Sequence, residues 1–205
     1  SVSRTHWALY GEDTWAVTKK LVFTYGLRYD HPEDYDDNLS PRGYLIYMPN
    51  HNFTVKGGIA TGYKAPTMLQ SSPVDVHLNI TGEVYRGNTG LKPERSTTEE
   101  IGFYYHNDHA TDAHLTFFHT NFRDKIDLSD PTVIGGESVR VYENVGKARI
   151  HGVELGTDFA LAPKLRAGLN WTFLTSSIKS GANKGQPLRS TPKQALNLKL
   201  DWMPT

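Results

Sequence analysis

Leu21–Asp30 alternates without a break. Leu21, Phe23, Tyr25, Leu27 and Tyr29 fall on one side of an extended chain; Val22, Thr24, Gly26, Arg28 and Asp30 fall on the other. The pattern recurs. Phe53, Val55, Gly57, Ile59, Thr61 and Tyr63 oppose Thr54, Lys56, Gly58, Ala60, Gly62 and Lys64, and Leu165, Ala167, Leu169, Trp171 and Phe173 oppose Arg166, Gly168, Asn170 and Thr172. Near the end Leu196, Leu198, Leu200 and Trp202 oppose Ala195, Asn197, Lys199 and Asp201. In these strands the charges (Arg28, Asp30, Lys56, Lys64, Arg166, Lys199, Asp201) keep to the face away from the aliphatic and aromatic one. A charge on a lipid-facing wall costs roughly 2–4 kcal/mol near the midplane, so this segregation is what such a wall requires.

About nine strands are expected, many of about 9–13 residues, longer than the usual strand of a globular sheet. Their connections alternate in length. Val17–Lys20, Pro49–Asn52, Asn107–Thr111 and Leu161–Lys164 are short. His31–Ser40, Ala65–Ser96, Ile126–Ser138 and Ser176–Thr191 are long. The strands between include Thr5–Val17, Pro41–Met48, Thr97–His106, Asp112–Lys125 and a long Val139–Ala160 with a break near Gly146. Short turns at one end and long loops at the other are the habit of outer-membrane barrels. Hydrophobic residues make up only 38% of the chain, which suits a wall with every second side chain in polar surroundings. No apolar run approaches the length of a spanning helix, so any membrane-crossing structure must be a closed barrel. The fold expected is an antiparallel up-and-down transmembrane β-barrel, with residues 1–205 one stretch of its wall. A soluble β-sandwich would need shorter strands and more even loops. Tyr and Trp near strand ends (Trp15, Tyr29, Tyr63, Trp202) suit interfacial girdles.

Motifs sharpen this. Gly87–Tyr105 reads GNTGLKPERSTTEEIGFYY, a Gly- and Pro-punctuated loop descending into an alternating strand. It resembles the GNxxLKPE…ExG segment of TonB-dependent outer-membrane receptors, with Gly90 where that family more often has Asp or Glu. Similar matches occur at Tyr10–Trp15, Gly26–Asp30, Gly58–Pro66, Asn121–Ile126, Glu143–Glu154, Gln186–Leu188 and Thr191–Lys193. The branch most resembled is the ferric catecholate siderophore receptors, whose barrel of about 22 strands is closed by an N-terminal plug. The resemblance implies an internal piece of that barrel, without plug, TonB-contacting box or closing strands; Ser1 carries neither an initiating Met nor a signal peptide. It implies uptake of an Fe(III)-siderophore driven through TonB–ExbB–ExbD acting on the plug, with lipid and lipopolysaccharide around the wall. The same architecture takes up cobalamin, haem or oligosaccharides, and a passive porin or an outer-membrane barrel enzyme are further alternatives.

A ferric tris-catecholate is anionic with an aromatic rim, so its capture calls for Arg and Lys beside Tyr or Trp in the outer loops. Tyr63, Lys64, Tyr85, Arg86 and Arg95 fit that chemistry, with Lys179, Lys184 and Arg189 at the outer rim. Solvated loop charges are the bland alternative for each. Asp30–Asn38 is dense in acids but lacks Ca²⁺-loop spacing and reads as a solvated acidic loop. His114 and His119, five apart, fall on opposite faces of a strand, and His106 and His109 sit in a short turn; no metal site or resident cofactor is expected. No Cys is present. The zero net charge gives no hint of a nucleic-acid partner, and no hydrolase or nucleotide motif occurs, so no enzyme is expected.

Overall fold

The computed structural model describes residues 3–77, 82–108, 111–181, 183–189 and 191–203. In chain order the elements are β1 (His6–Thr18), β2 (Leu21–Pro32), β3 (Asn38–Tyr47), β4 (Phe53–Lys64), α1 (Met68–Ser71), β5 (Asp75–His77), β6 (Glu83–Arg86) and β7 (Glu94–Asn107). They continue with β8 (Thr111–Arg123), β9 (Ile126–Leu128), β10 (Thr132–Ile134), β11 (Glu137–Asn144), β12 (Ala148–Ala162), β13 (Leu165–Ile178) and β14 (Gln194–Trp202). Nine of these form one sheet in the order β1-β2-β3-β4-β7-β8-β12-β13-β14, every neighbour antiparallel. It is an up-and-down meander in sequence order.

Register carries one set of side chains across the wall. Val55, Phe103, Leu115, Leu155, Trp171 and Leu196 lie side by side across six strands. This face stays open: Leu196, Leu198 and Leu200 are each more than 60% exposed. So broad an apolar surface is not tolerated in water and marks the lipid-facing side of a spanning wall. Trp15 and Trp202 flank it at the short-turn end, and Trp7 packs on Tyr29 at the long-loop end, ring centroids 5.4 Å apart. The one carboxylate low on this face in β1, Asp13, accepts a hydrogen bond from the Tyr25 hydroxyl. Among the described residues, the buried apolar side chains (Val84, Leu91, Ile126, Val139, Ala148, Ile178, Leu188) all lie in the long connections or at strand ends beside them. The wall has no internal core of its own.

Three boundaries differ from expectation. The first polar connection is shorter than His31–Ser40, because β2 and β3 keep pairing to Asp30↔Asn38. Pro41 thus sits inside β3 rather than opening it. Its missing N–H is tolerated because the β3–β4 ladder stops at Arg42↔Ala60. Just beyond, the Thr61 hydroxyl donates to the Pro41 carbonyl at 2.9 Å. Second, Val139–Ala160 has the break expected near Gly146 (φ 75°), with Val145–Lys147 between β11 and β12, but the two halves join different sheets. Third, the connections read as loops at Ala65–Ser96 and Ile126–Ser138 contain strands. These form a second sheet in the order β10-β11-β6-β5, with β9 also paired to β11. The β6–β11 pairing is parallel and joins two different outer connections.

On the polar face Gly58 is held under the Tyr44 ring. A Cβ there would lie 2.4 Å from both the Gly43 carbonyl oxygen and Tyr44 Cδ1. Gly58→Ala should therefore lower barrel stability by about 1–3 kcal/mol, read as a lower temperature of loss of heat-modifiable gel mobility. Gly43→Ala, whose Cβ would meet only the Phe23 ring at 3.6 Å, should leave it within about 0.5 kcal/mol.

Candidate functional site

The residues that carry the motif resemblance meet at one junction. Asn144 Nδ2 donates to the carbonyls of Lys92 (3.0 Å) and Asp124 (2.7 Å), and Asn144 Oδ1 accepts from the Lys92 amide. Glu94 is buried and accepts from Lys125 Nζ at 3.0 Å and from the Ile126 amide at 3.2 Å. Asn88 Nδ2 donates to the Tyr142 carbonyl, and its Oδ1 accepts from the Gly90 amide. Asp124 takes the left-handed conformation (φ 53°) that the tight exit from β8 requires. Gly87 passes so close to α1 that a Cβ would lie 2.0 Å from the Ser72 carbonyl oxygen. The GNTGLKPE, FRDKI and ENVG segments thus act as a clasp. It ties the second sheet to the tops of β7, β8 and β12.

What the clasp holds is an aromatic face with an Arg–Glu ion pair. Tyr85 and Arg140 are register partners on β6 and β11. Tyr142, two residues along β11 on the same side, meets Tyr85 edge to face at 6.3 Å. Burial pushes the Tyr142 hydroxyl above its usual range, with the neighbouring Tyr85 adding to the shift. Arg140 is paired with Glu83 at 3.0 Å. Arg140 and Tyr142 escaped the sequence reading because they were assigned to a wall strand; the Val139–Tyr142 alternation was the available signal.

The expected ligand residues scatter over several surfaces. Arg86 points to the opposite face from Tyr85 and grips Asp75 with both nitrogens, Nε at 2.7 Å and Nη2 at 2.8 Å. That guanidinium holds the Asp75 carboxyl below the ordinary carboxylate range. Lys64 lies on the polar face at the top of β4, in register with Glu94, and has no carboxylate within ion-pair distance among the described residues. Lys184 is exposed in the turn after β13, while Arg189 pairs with Asp130 and docks its connection against the β9–β10 segment. Leu188 completes that docking by packing on Ala148 and Ile178. Tyr63 and Arg95 are cross-strand partners at the long-loop end of β4 and β7, in the register of Ile59 and Ile101, and Arg95 Nε donates to Asn38 Oδ1 at 3.1 Å. Lys179 lines a cleft with Arg95 there.

Four of the five acids of Asp30–Asn38 are engaged within the chain: Asp30 by Arg28 and His6, Glu33 by the Thr5 amide, Asp34 by Arg4, Asp37 by His31 and Tyr29. His119 faces His151 across β8 and β12, while His114 stacks near Tyr104 on the other side. His106 pairs with Asp112, and His109 lies outside the described residues.

Comparison with known proteins agrees with this architecture. An iron-regulated outer membrane virulence protein of Vibrio cholerae is 32% identical across all of this chain and 32% of its own length. A ferric enterobactin receptor of Pseudomonas aeruginosa is 33% identical across the whole chain and 29% of its own. The crystal structure of the siderophore receptor PirA of the same organism superposes with a TM-score of 0.75 at 29% identity, covering 96% of this chain and 37% of that one. A copper transporter superposes at 0.72 with 19% identity, so the fold by itself does not name a cargo. The chain spans about a third of the length of the curated relatives it matches. All of it, residues 1–205, matches the family described as "TonB dependent receptor-like, beta-barrel", and the chain belongs to that family of receptors.

Proposed function

We propose that this chain is wall and outer-loop structure of an outer-membrane receptor that takes up ferric siderophores of the catecholate type. The observation that carries the proposal is its similarity, 33% identity along its whole length, to a protein named as a ferric enterobactin receptor. The outer sheet supplies chemistry to match. Tyr85 and Tyr142 offer ring faces and edges to catecholate rims, and Arg140, held beside them by Glu83, would have to exchange that pairing for the complex's negative charge. Lys64 adds an ammonium on the polar side of the wall with no carboxylate partner among the described residues, and Lys184 an exposed one at the rim. Arg86 contributes through the Asp75 pair that braces β5 against β6. Nothing in an outer-membrane wall supplies energy, so transport draws on TonB acting through the plug of the complete receptor.

The test is a tryptophan-fluorescence titration of the full-length receptor with a ferric catecholate, a ferric hydroxamate, haem and cobalamin. Quenching is expected with the catecholate, at least about tenfold tighter than with the others. Arg140→Gln should weaken it by a comparable factor, the loss of one charge-assisted contact. Binding of haem or cobalamin alone would remove the siderophore assignment and leave the receptor.

A further inference from the structure

We propose, on the siderophore reading above, that Glu83 is the release residue of the outer sheet: a built-in carboxylate that yields Arg140 to an incoming anion and then takes it back. The parallel register Ser138↔Glu83 and Arg140↔Tyr85 puts Glu83, Tyr85, Ser138 and Arg140 on one face, with Tyr142 two residues beyond Arg140 on the same side. The apolar side chains of the other face, Val84 and Val139, are 1% and 2% exposed. A ligand reaching this sheet therefore meets the face that carries the tyrosines and the Arg–Glu pair.

Two arginines of this sheet are held in different ways. Arg86 grips Asp75 through two nitrogens and two oxygens, at 2.7 and 2.8 Å, a planar fork that fixes both partners. Arg140 gives Glu83 a single bond, Nε to Oε1 at 3.0 Å, while its Nη1 reaches the Ser129 carbonyl at 3.4 Å. A single charge-assisted bond is the weaker form. The β6–β11 ladder has four register pairs of its own, so exchanging the partner of Arg140 leaves the strands joined. Arg86 is a brace; Arg140 is exchangeable.

The exchange serves transport. A transport site must hold its cargo and then let it go. The side chains of Arg140 and Glu83 are 19% and 23% exposed, so water replaces a lost partner only in part. A ferric tris-catecholate stays anionic because its phenolates outweigh Fe(III), and it takes over the guanidinium while Glu83 turns to solvent. When the complex moves on, the guanidinium would be left unpaired in a half-buried place. Glu83, one bond length away, re-forms the pair and removes that penalty. The carboxylate thus weakens the hold and speeds departure, an effect that falls mainly on the dissociation rate.

The test uses the full-length receptor and the ferric complex of a tris-catecholate siderophore, with binding and dissociation followed by tryptophan fluorescence. Glu83→Gln should bind about threefold to tenfold tighter than wild type, through slower dissociation, and Glu83→Ala should do the same. In an Arg140→Gln background neither substitution should shift affinity by more than about twofold. Uptake by TonB-containing cells at saturating ligand should fall by about threefold in Glu83→Gln despite the tighter binding. Damage to the sheet would instead weaken binding and uptake together. Affinity unchanged or lowered in both Glu83 variants would overturn the proposal. So would tightening that persists without Arg140, or tightening with saturated uptake unaltered. Binding that Arg140→Gln weakens and Glu83→Gln does not touch would overturn the release role and leave the siderophore reading standing. No binding by wild type would overturn both.

Discussion

Glu94→Ala in the full-length receptor is expected to release the outer sheet while leaving the wall assembled. The carboxylate is 7% exposed and accepts three hydrogen bonds, two from Lys125 Nζ and one from the Ile126 amide. Its removal leaves a largely buried ammonium and a buried amide without their partner, a loss of roughly 3 kcal/mol. The cost falls at the point where the connection after β8 turns back toward β12, so it is paid locally. Amide exchange should accelerate in Asp124–Lys147 and in Glu83–Pro93, joined to it through β6–β11 and the Asn144 bonds. The β12–β13 ladder should keep its protection. Glu94→Gln, which can still accept from the Ile126 amide, should lie between. Unchanged exchange in those segments would mean that the clasp does not hold the outer sheet.

Leu155→Arg is the second large effect, expected to destabilise the barrel by about 2–4 kcal/mol in lipid. Leu155 lies between Leu115 and Trp171 in the apolar layer, on the face that meets hydrocarbon. The matched control is Thr116→Arg. Thr116 is the register partner of Glu154 on the polar face, one residue along β12, where a cation gains a nearby carboxylate and stays solvated. Reversible denaturant unfolding in vesicles should separate the two by at least about 2 kcal/mol. Equal costs would contradict the assignment of faces.

The wall was legible because its signal repeats. β4 runs over Phe53–Lys64 as its alternation dictates, and the apolar faces of β2, β13 and β14 follow their sequence periodicity. The outer sheet was not legible. β5, β9 and β10 have three residues each, too few for a period, and they are held by pairing between Glu83–Arg86 and Ser138–Val141, which no local pattern announces. Within the site, the motif segments were visible as motifs, but their role as a clasp depends on side chains such as Asn144 reaching across about 50 positions of sequence. The placement of Arg95 was hidden for a simpler reason. β7 begins at Glu94 rather than Thr97, and the three added residues put Arg95 in the period of Ile101 and Phe103. Lys179 follows the same way from β13 extending to Ile178.

On the function proposed above, these outer loops serve a receptor for ferric catecholates. The most direct measurement is uptake of a radiolabelled ferric catecholate by cells whose receptor is the full-length protein, with and without TonB, beside the Arg140→Gln variant. Accumulation should depend on TonB, and Arg140→Gln should reduce it about tenfold at limiting ligand. Accumulation independent of TonB, or none above cells lacking the receptor, would contradict it.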